Sequence, residues 1–170
     1  MNLATRTFDG TEKRSGRLYK TLVDGKSFHG GDTAWPLPTQ NPDGTWEPGA
    51  WLPEVGNVCC CQRGYHLTTD PGAWWGAGAT AWIAEGRGAS DSQGDKTAFA
   101  EARLLRPATH DELAEECLVL SGQWSLSGSS TVAAYGSSTV AAYDSSTVRA
   151  YDSSTVRAYG SSTVTASDSS

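Results

Sequence analysis

The chain has a single Met, a single Ile and only 3 Phe among its 170 residues, and charged residues make up just 19% of it. Aromatic mass therefore rests on 7 Trp and 6 Tyr. Low charge excludes a charge-rich disordered chain, and 19 Gly with 7 Pro excludes a helical bundle. Positive charge is scarce: 13 Lys plus Arg stand against 19 Asp plus Glu, a net charge of −6. A dedicated nucleic-acid binder needs a basic stripe to replace phosphate counterions, and no such stripe is present. The longest apolar runs, such as Ala77 to Ala84, fall far short of the roughly 20 residues of a membrane span. The start, Met1-Asn2-Leu3-Ala4-Thr5-Arg6, lacks the apolar core of a signal peptide. The expected location is the cytoplasm, or a virion if the chain is phage-encoded, with neither membrane nor nucleic acid as a partner. Three of the 4 Cys are consecutive, and neighbouring cysteines rarely pair, so reduced thiols are expected.

What is present divides the chain in two. All 4 Cys, all 3 His and 6 of the 7 Trp precede residue 121. From Ser129 the chain reads SSTVAAYG, SSTVAAYD, SSTVRAYD, SSTVRAYG and SSTVTASD. The fourth and sixth positions are always Val and Ala, which strand alternation turns inward, leaving the third and fifth outward. Gly or Asp at the eighth position and the serines that follow supply a turn. A short regular repeat with small inward residues fits a narrow β-solenoid, two octads per coil. Residues 121–128 keep the frame, with Trp124 and Leu126 at the inward positions, and are expected to form a capping octad before the repeats of 129–170. In this stacking Tyr135 lies over Tyr151 and Tyr143 over Tyr159. At the far end Val156, Ala158, Val164 and Ala166 have no bulky plug, which predicts an open edge and a tail-to-tail homodimer.

The octads resemble those of bacterial ice-nucleation proteins, and the resemblance implies a β-solenoid with a Tyr ladder and, as one alternative function, ice binding through an outward Thr-x-Thr met here at Thr163-Val164-Thr165.

Residues 1–120 read as a Trp-rich α+β domain. A hairpin is expected over residues 17–29 about Asp24-Gly25, and a strand at Val58 to Cys61. Asp70-Pro71 is expected to open a short helix holding Trp74 and Trp75. Strands at Thr80 to Glu85 and Lys96 to Arg106 are joined by a Gly, Ser and Asp turn. Thr109 and Glu112 form a capping box for a helix to about Leu120.

Elements such as Phe28-His29-Gly30-Gly31, Gly64-Tyr65-His66-Leu67, Ala84-Glu85-Gly86-Arg87-Gly88 and Glu101-Ala102-Arg103-Leu104-Leu105 resemble an uncharacterised domain family of actinobacteria, other bacteria and their phages. In that family octads of this kind often follow the domain.

Several chemistries are open to the first domain. Cys59, Cys61 and His66, completed by Cys117 or His110, have the ligand types of structural zinc. A thiol with His66 as base has those of a nucleophilic site. Phe28-His29-Gly30, Gly64-Tyr65-His66-Leu67 and Glu101 resemble, in order, the motifs of ADP-ribosyltransferases, with His66 where that family has tyrosine; the resemblance implies NAD as cofactor and His29, His66 and Glu101 as site residues. Trp35, Trp46, Trp51 and Trp74 line a binding pocket or fill a core. The reading favoured throughout is a non-catalytic protein without cofactor: a Trp-rich head that binds, displayed on a solenoid that self-associates.

Overall fold

The computed structural model describes residues 5–9, 15–27 and 31–167. The chain is mostly strand, with a β-solenoid of about three turns over residues 118–167. It divides into two compact units: Gly16–Ala108, and Met1–Ser15 together with Thr109–Ser170. The division thus precedes residue 120, and the N-terminal stretch goes with the repeats. β1 (Arg6–Phe8) belongs to that second unit.

In the Gly16–Ala108 unit, β2 (Leu18–Val23) and β3 (Lys26–Ser27) form the expected hairpin. Asp24 and Gly25 have φ of 50° and 74°, the left-handed pair that a two-residue hairpin turn requires. β4 (Thr39–Gln40) and β5 (Trp46–Glu47) pair with each other alone. β6 (Tyr65–Thr68), β7 (Thr80–Gln93) and β8 (Lys96–Pro107) complete an antiparallel sheet in the order β3-β2-β6-β8-β7. Because β2 also pairs with β7, the sheet closes on itself. The residues expected to join the last two strands as a long turn are themselves strand to Gln93, with the register shifting between Arg87 and Ser90 around Gly88.

β6 covers only the first part of β8, so the rest of that edge needs another partner. The segment between β5 and β6 supplies it: Gly49, Leu52 and Val55 donate their N–H groups to the carbonyls of Leu104, Ala102 and Ala100, each at 2.9 Å. Leu22, Trp35, Leu52, Leu67 and Leu104 then share one core, each aliphatic side chain contributing about 1.5 to 3 kcal/mol.

No α-helix occurs in the described residues of this unit, so the expected α+β head is built on strands. Asp70 does cap a helical turn, accepting from Ala73 N–H, but the turn is a 3-10 helix of four residues, Pro71–Trp74. Gly76 and Gly78 follow, and glycine propagates a helix poorly. Nor is Val58 to Cys61 a strand: Cys59 and Arg63 exchange backbone hydrogen bonds at 2.9 and 2.8 Å, and Cys61 sits at φ 65° in the turn between them.

In the second unit α1 (His110–Glu115) has the expected capping box, with both Thr109–Glu112 bonds made. It stops well before Leu120 because Cys117 turns to φ 61° and β9 (Leu118–Leu126) begins. β10 (Thr131–Ala142), β11 (Thr147–Tyr151), β12 (Thr155–Ala158) and β13 (Thr163–Ser167) follow, all stacked in parallel. Thr131 pairs with Thr147 and Thr147 with Thr163, a step of sixteen residues, or two octads per coil. Val132, Ala134, Val140, Ala142, Val148 and Ala150 fill the interior as the alternation predicts; Ala133, expected outward, is buried as well.

The corners explain the eighth position. Gly128, Gly136, Asp144, Asp152 and Gly160 all have positive φ, between 53° and 65°, which glycine adopts freely and Asp tolerates. Two residues on, Ser130, Ser138 and Ser146 are buried, and their hydroxyls donate to the carbonyls of Ser127, Tyr135 and Tyr143 at 2.7, 2.8 and 2.6 Å. Tyr135 stacks on Tyr151 with ring centroids 4.3 Å apart, and Tyr143 on Tyr159 at 4.9 Å.

The octad of Trp124 and Leu126 does fill the near end of the solenoid, but it is covered in turn. β1 pairs parallel with β9, setting Arg6 beside Trp124 and Phe8 beside Leu126. Phe8 stacks on Trp124 at 5.2 Å, and Ala114 of α1 joins the same core.

Candidate functional site

A cavity of about 260 Å³ opens in the Gly16–Ala108 unit. Its charged lining is Lys20 of β2 and Lys96 of β8, its polar lining includes Ser27, His66 and Thr68, and Trp74 forms part of the wall. Tyr19 and Leu67 provide a buried apolar floor. No carboxylate is present among the described lining residues.

Lys20 is buried on β2, which pairs with β7 along its length and with β6 at Tyr19. Its ammonium donates to Ser27 Oγ at 2.8 Å and to the His66 carbonyl at 3.2 Å, and lies 5.1 Å from the centre of the Trp35 ring. Burial pushes the amine down to about 8. Lys96 pairs across the sheet with Thr68. Its ammonium lies 4.3 Å from the centre of the Trp74 ring and donates to Cys61 Sγ at 3.2 Å.

His66 Nε2 accepts the backbone N–H of Cys61 at 2.7 Å, which ties the cysteine turn to β6. Burial holds the imidazole below its ordinary value, the charges of Lys20 and Lys96 lower it further, and a hydrogen bond with the Gly64 backbone opposes them. Behind the wall, Asp95 accepts from Thr68 Oγ1 at 2.7 Å and Trp74 Nε1 at 2.6 Å. Burial pushes this carboxyl up, but those two bonds, its own backbone amide and Lys96 together leave it below the usual carboxylate range.

Of the residues singled out from sequence, Cys61, His66 and Trp74 meet at this cavity. The other tryptophans go elsewhere. Trp35 is in the core, edge-on to Tyr65. Trp46 is half-buried in β5. Trp51 carries two guanidiniums, Arg87 at 4.0 Å and Arg103 at 4.6 Å from its ring centre. An aromatic groove of four tryptophans is therefore not assembled; large apolar side chains in a unit short of Ile and Met are used as core and as platforms.

His66 and Glu101 are not brought together either. His66 pairs with Ala98 on β8, and Glu101 lies three residues further along that strand, hence on its opposite face. There Arg87 holds Glu101 by two hydrogen bonds of 2.8 and 2.7 Å. His29 lies outside the described residues. An NAD cleft using His66 and Glu101 does not fit this arrangement, and the cavity is smaller than the roughly 300 Å³ at which pockets for drug-sized ligands begin.

Cysteine chemistry is equally constrained. With its Nε2 lone pair taken by the Cys61 amide, His66 is not placed as base to a thiol. Cys117 packs against the solenoid core. Among the described residues no group of three His, Cys, Asp or Glu side chains is arranged to hold a metal ion, and no helix is long and apolar enough to cross a membrane.

Sequence reasoning passed over Lys20 and Lys96 as site residues. The available signal was a lysine inside the apolar run Leu18-Tyr19-Lys20-Thr21-Leu22-Val23, where a half-exposed strand would simply turn it to solvent. No protein-family model, curated protein or solved structure matches the chain.

Proposed function

We propose that this is a non-catalytic binding and assembly protein, in which the solenoid pairs two copies tail to tail and the Gly16–Ala108 unit is the binding head. The observation that carries the reading is the state of β13. All five of its residues are exposed, Val164 to 39%, and among the described strands it pairs only with β11. β12 likewise pairs only with β10. Natural edge strands are protected by charge, proline or bulges. Thr163-Val164-Thr165-Ala166-Ser167 has none of these. Beside it Ala158 is exposed and Val156 is half-buried against the solenoid core. A second copy offers an edge of the same length, chemistry and period, and two-fold pairing satisfies both edges at once.

Light scattering across a concentration series tests this. A dimer mass at micromolar protein, reduced to a monomer by Val164→Pro with the far-ultraviolet dichroism retained, is the expected result. A monomer throughout, or an open-ended polymer, overturns two-fold pairing.

A further inference from the structure

We propose that the cavity of the Gly16–Ala108 unit binds a small organic carboxylate, its negative end between Lys20 and Lys96 and its apolar part against Tyr19, Leu67 and Trp74. This deepens the reading of that unit as a binding head and rests on it, but not on the pairing of solenoid ends.

The first argument is charge. Lysine is almost never fully buried unless it is paired, and Lys20 is 8% exposed with only a hydroxyl and a carbonyl as hydrogen-bond acceptors. A buried charge is ordinarily matched by a counter-charge. Asp95, behind the cavity wall, accepts at Oδ2 from Thr68 and Trp74 and sits within reach of the charge of Lys96 rather than bonding Lys20. Lys96 adds a second ammonium to the same cavity. In a chain of net charge −6, this is a local reversal of sign, the condition under which an anion is drawn to a cleft.

The second argument is the rest of the lining. Ser27 places a hydroxyl beside Lys20, and a carboxylate accepts from hydroxyl and ammonium alike, whereas the Thr68 proton is already given to Asp95. A bare inorganic anion has no use for the apolar floor of Tyr19 and Leu67 or for the indole of Trp74. An acid with a short hydrocarbon or aromatic body uses both halves, and a volume of about 260 Å³ limits that body to a few carbons or one ring.

The third is His66. It feels the charge of both lysines, so a bound anion offsets them and moves its titration upward, whereas an occupant without charge does not.

The test is a nuclear magnetic resonance titration of the full chain with propionate, benzoate and inorganic phosphate at constant ionic strength. Expected are saturable shifts at Lys20, Thr68 and the Trp74 indole N–H with propionate or benzoate, and an upward move of the His66 midpoint when they are bound. Lys20→Met and, separately, Lys96→Gln weaken binding by about tenfold or more, while Glu101→Gln, on the other face, leaves it unchanged. Lys96 lies nearer the surface, so its variant reports on binding even if Lys20→Met alters the fold. Absence of saturable shifts to roughly 10 mM of either acid, or phosphate binding where both acids fail, overturns the proposal. A monomeric mass with intact carboxylate binding overturns the assembly reading alone.

Discussion

The imidazole of His66 is fixed to the turn of Cys61 by a single bond, from the cysteine N–H to Nε2 at 2.7 Å. Only the neutral ring can accept that bond. Both the bond and the lowered titration of His66 therefore make one end of this unit sensitive to acid.

The sign follows from linkage. The folded state binds the His66 proton less readily than the unfolded chain, so the stabilisation is complete above the ordinary histidine value of about 6.5 and is lost as pH falls through the lower folded value. His66→Gln keeps an acceptor and removes the titration. The difference in melting temperature between wild type and His66→Gln is expected to be level above pH 7 and to turn against wild type toward pH 5. A difference independent of pH refutes it.

Lys20 follows the same linkage, since burial lowers its titration as well. Its amine is protonated at pH 7 in both states, and the folded state carries the penalty of burying it. A drop from 10.5 to about 8 corresponds to something on the order of 3 kcal/mol. Lys20→Met loses the bonds to Ser27 and the His66 carbonyl, so a net gain of about 1 to 3 kcal/mol is expected at neutral pH. The gain shrinks as pH rises from about 8 through 10.5, above which the wild-type amine is neutral in both states. Denaturant unfolding at pH 7 and pH 10 measures both values.

At the solenoid corners, Gly136 and Asp144 occupy equivalent positions at φ 57° and 58° but differ in surroundings. A Cβ on Gly136 would lie 2.7 Å from the Leu120 carbonyl oxygen. Gly136→Ala is expected to destabilise by about 2 kcal/mol, joining left-handed strain to that clash. Asp144→Gly relieves strain but loses the bond from Gly128 N–H at 3.1 Å, and should change stability by less than about 1 kcal/mol. Equal effects of the two in thermal unfolding would show that the corner conformation is not what selects the residue.

The parts legible in the sequence are those governed by local rules. Asp24-Gly25, the Thr109 capping box and the octad period each specify conformation within a few residues, and each is found where expected. What escaped depends on distant pairing. Phe8 lies 116 positions before Trp124, and nothing in Arg6-Thr7-Phe8 announces a strand that closes a solenoid. Gly49, Leu52 and Val55 protect β8 through backbone N–H groups alone, which no side-chain pattern encodes. Lys20 and Lys96 line one cavity because β6 joins β2 to β8 through pairings distant in sequence; read as an ordinary half-exposed strand, β2 would have turned its lysine to water.

The sixteen-residue step between stacked strands also bears on how such a gene lengthens and shortens. Removing or duplicating two octads restores every ladder, so Arg149 or its substitute still lies over Ala133 and the tyrosines still meet. Removing one octad carries each later residue to the opposite face, and Arg157 would lie over Ala133. Recombination between near-identical DNA repeats in units of two octads is thus structurally silent, whereas a single-octad slip exchanges the two faces of the solenoid. Length variants that persist should differ by even numbers of octads.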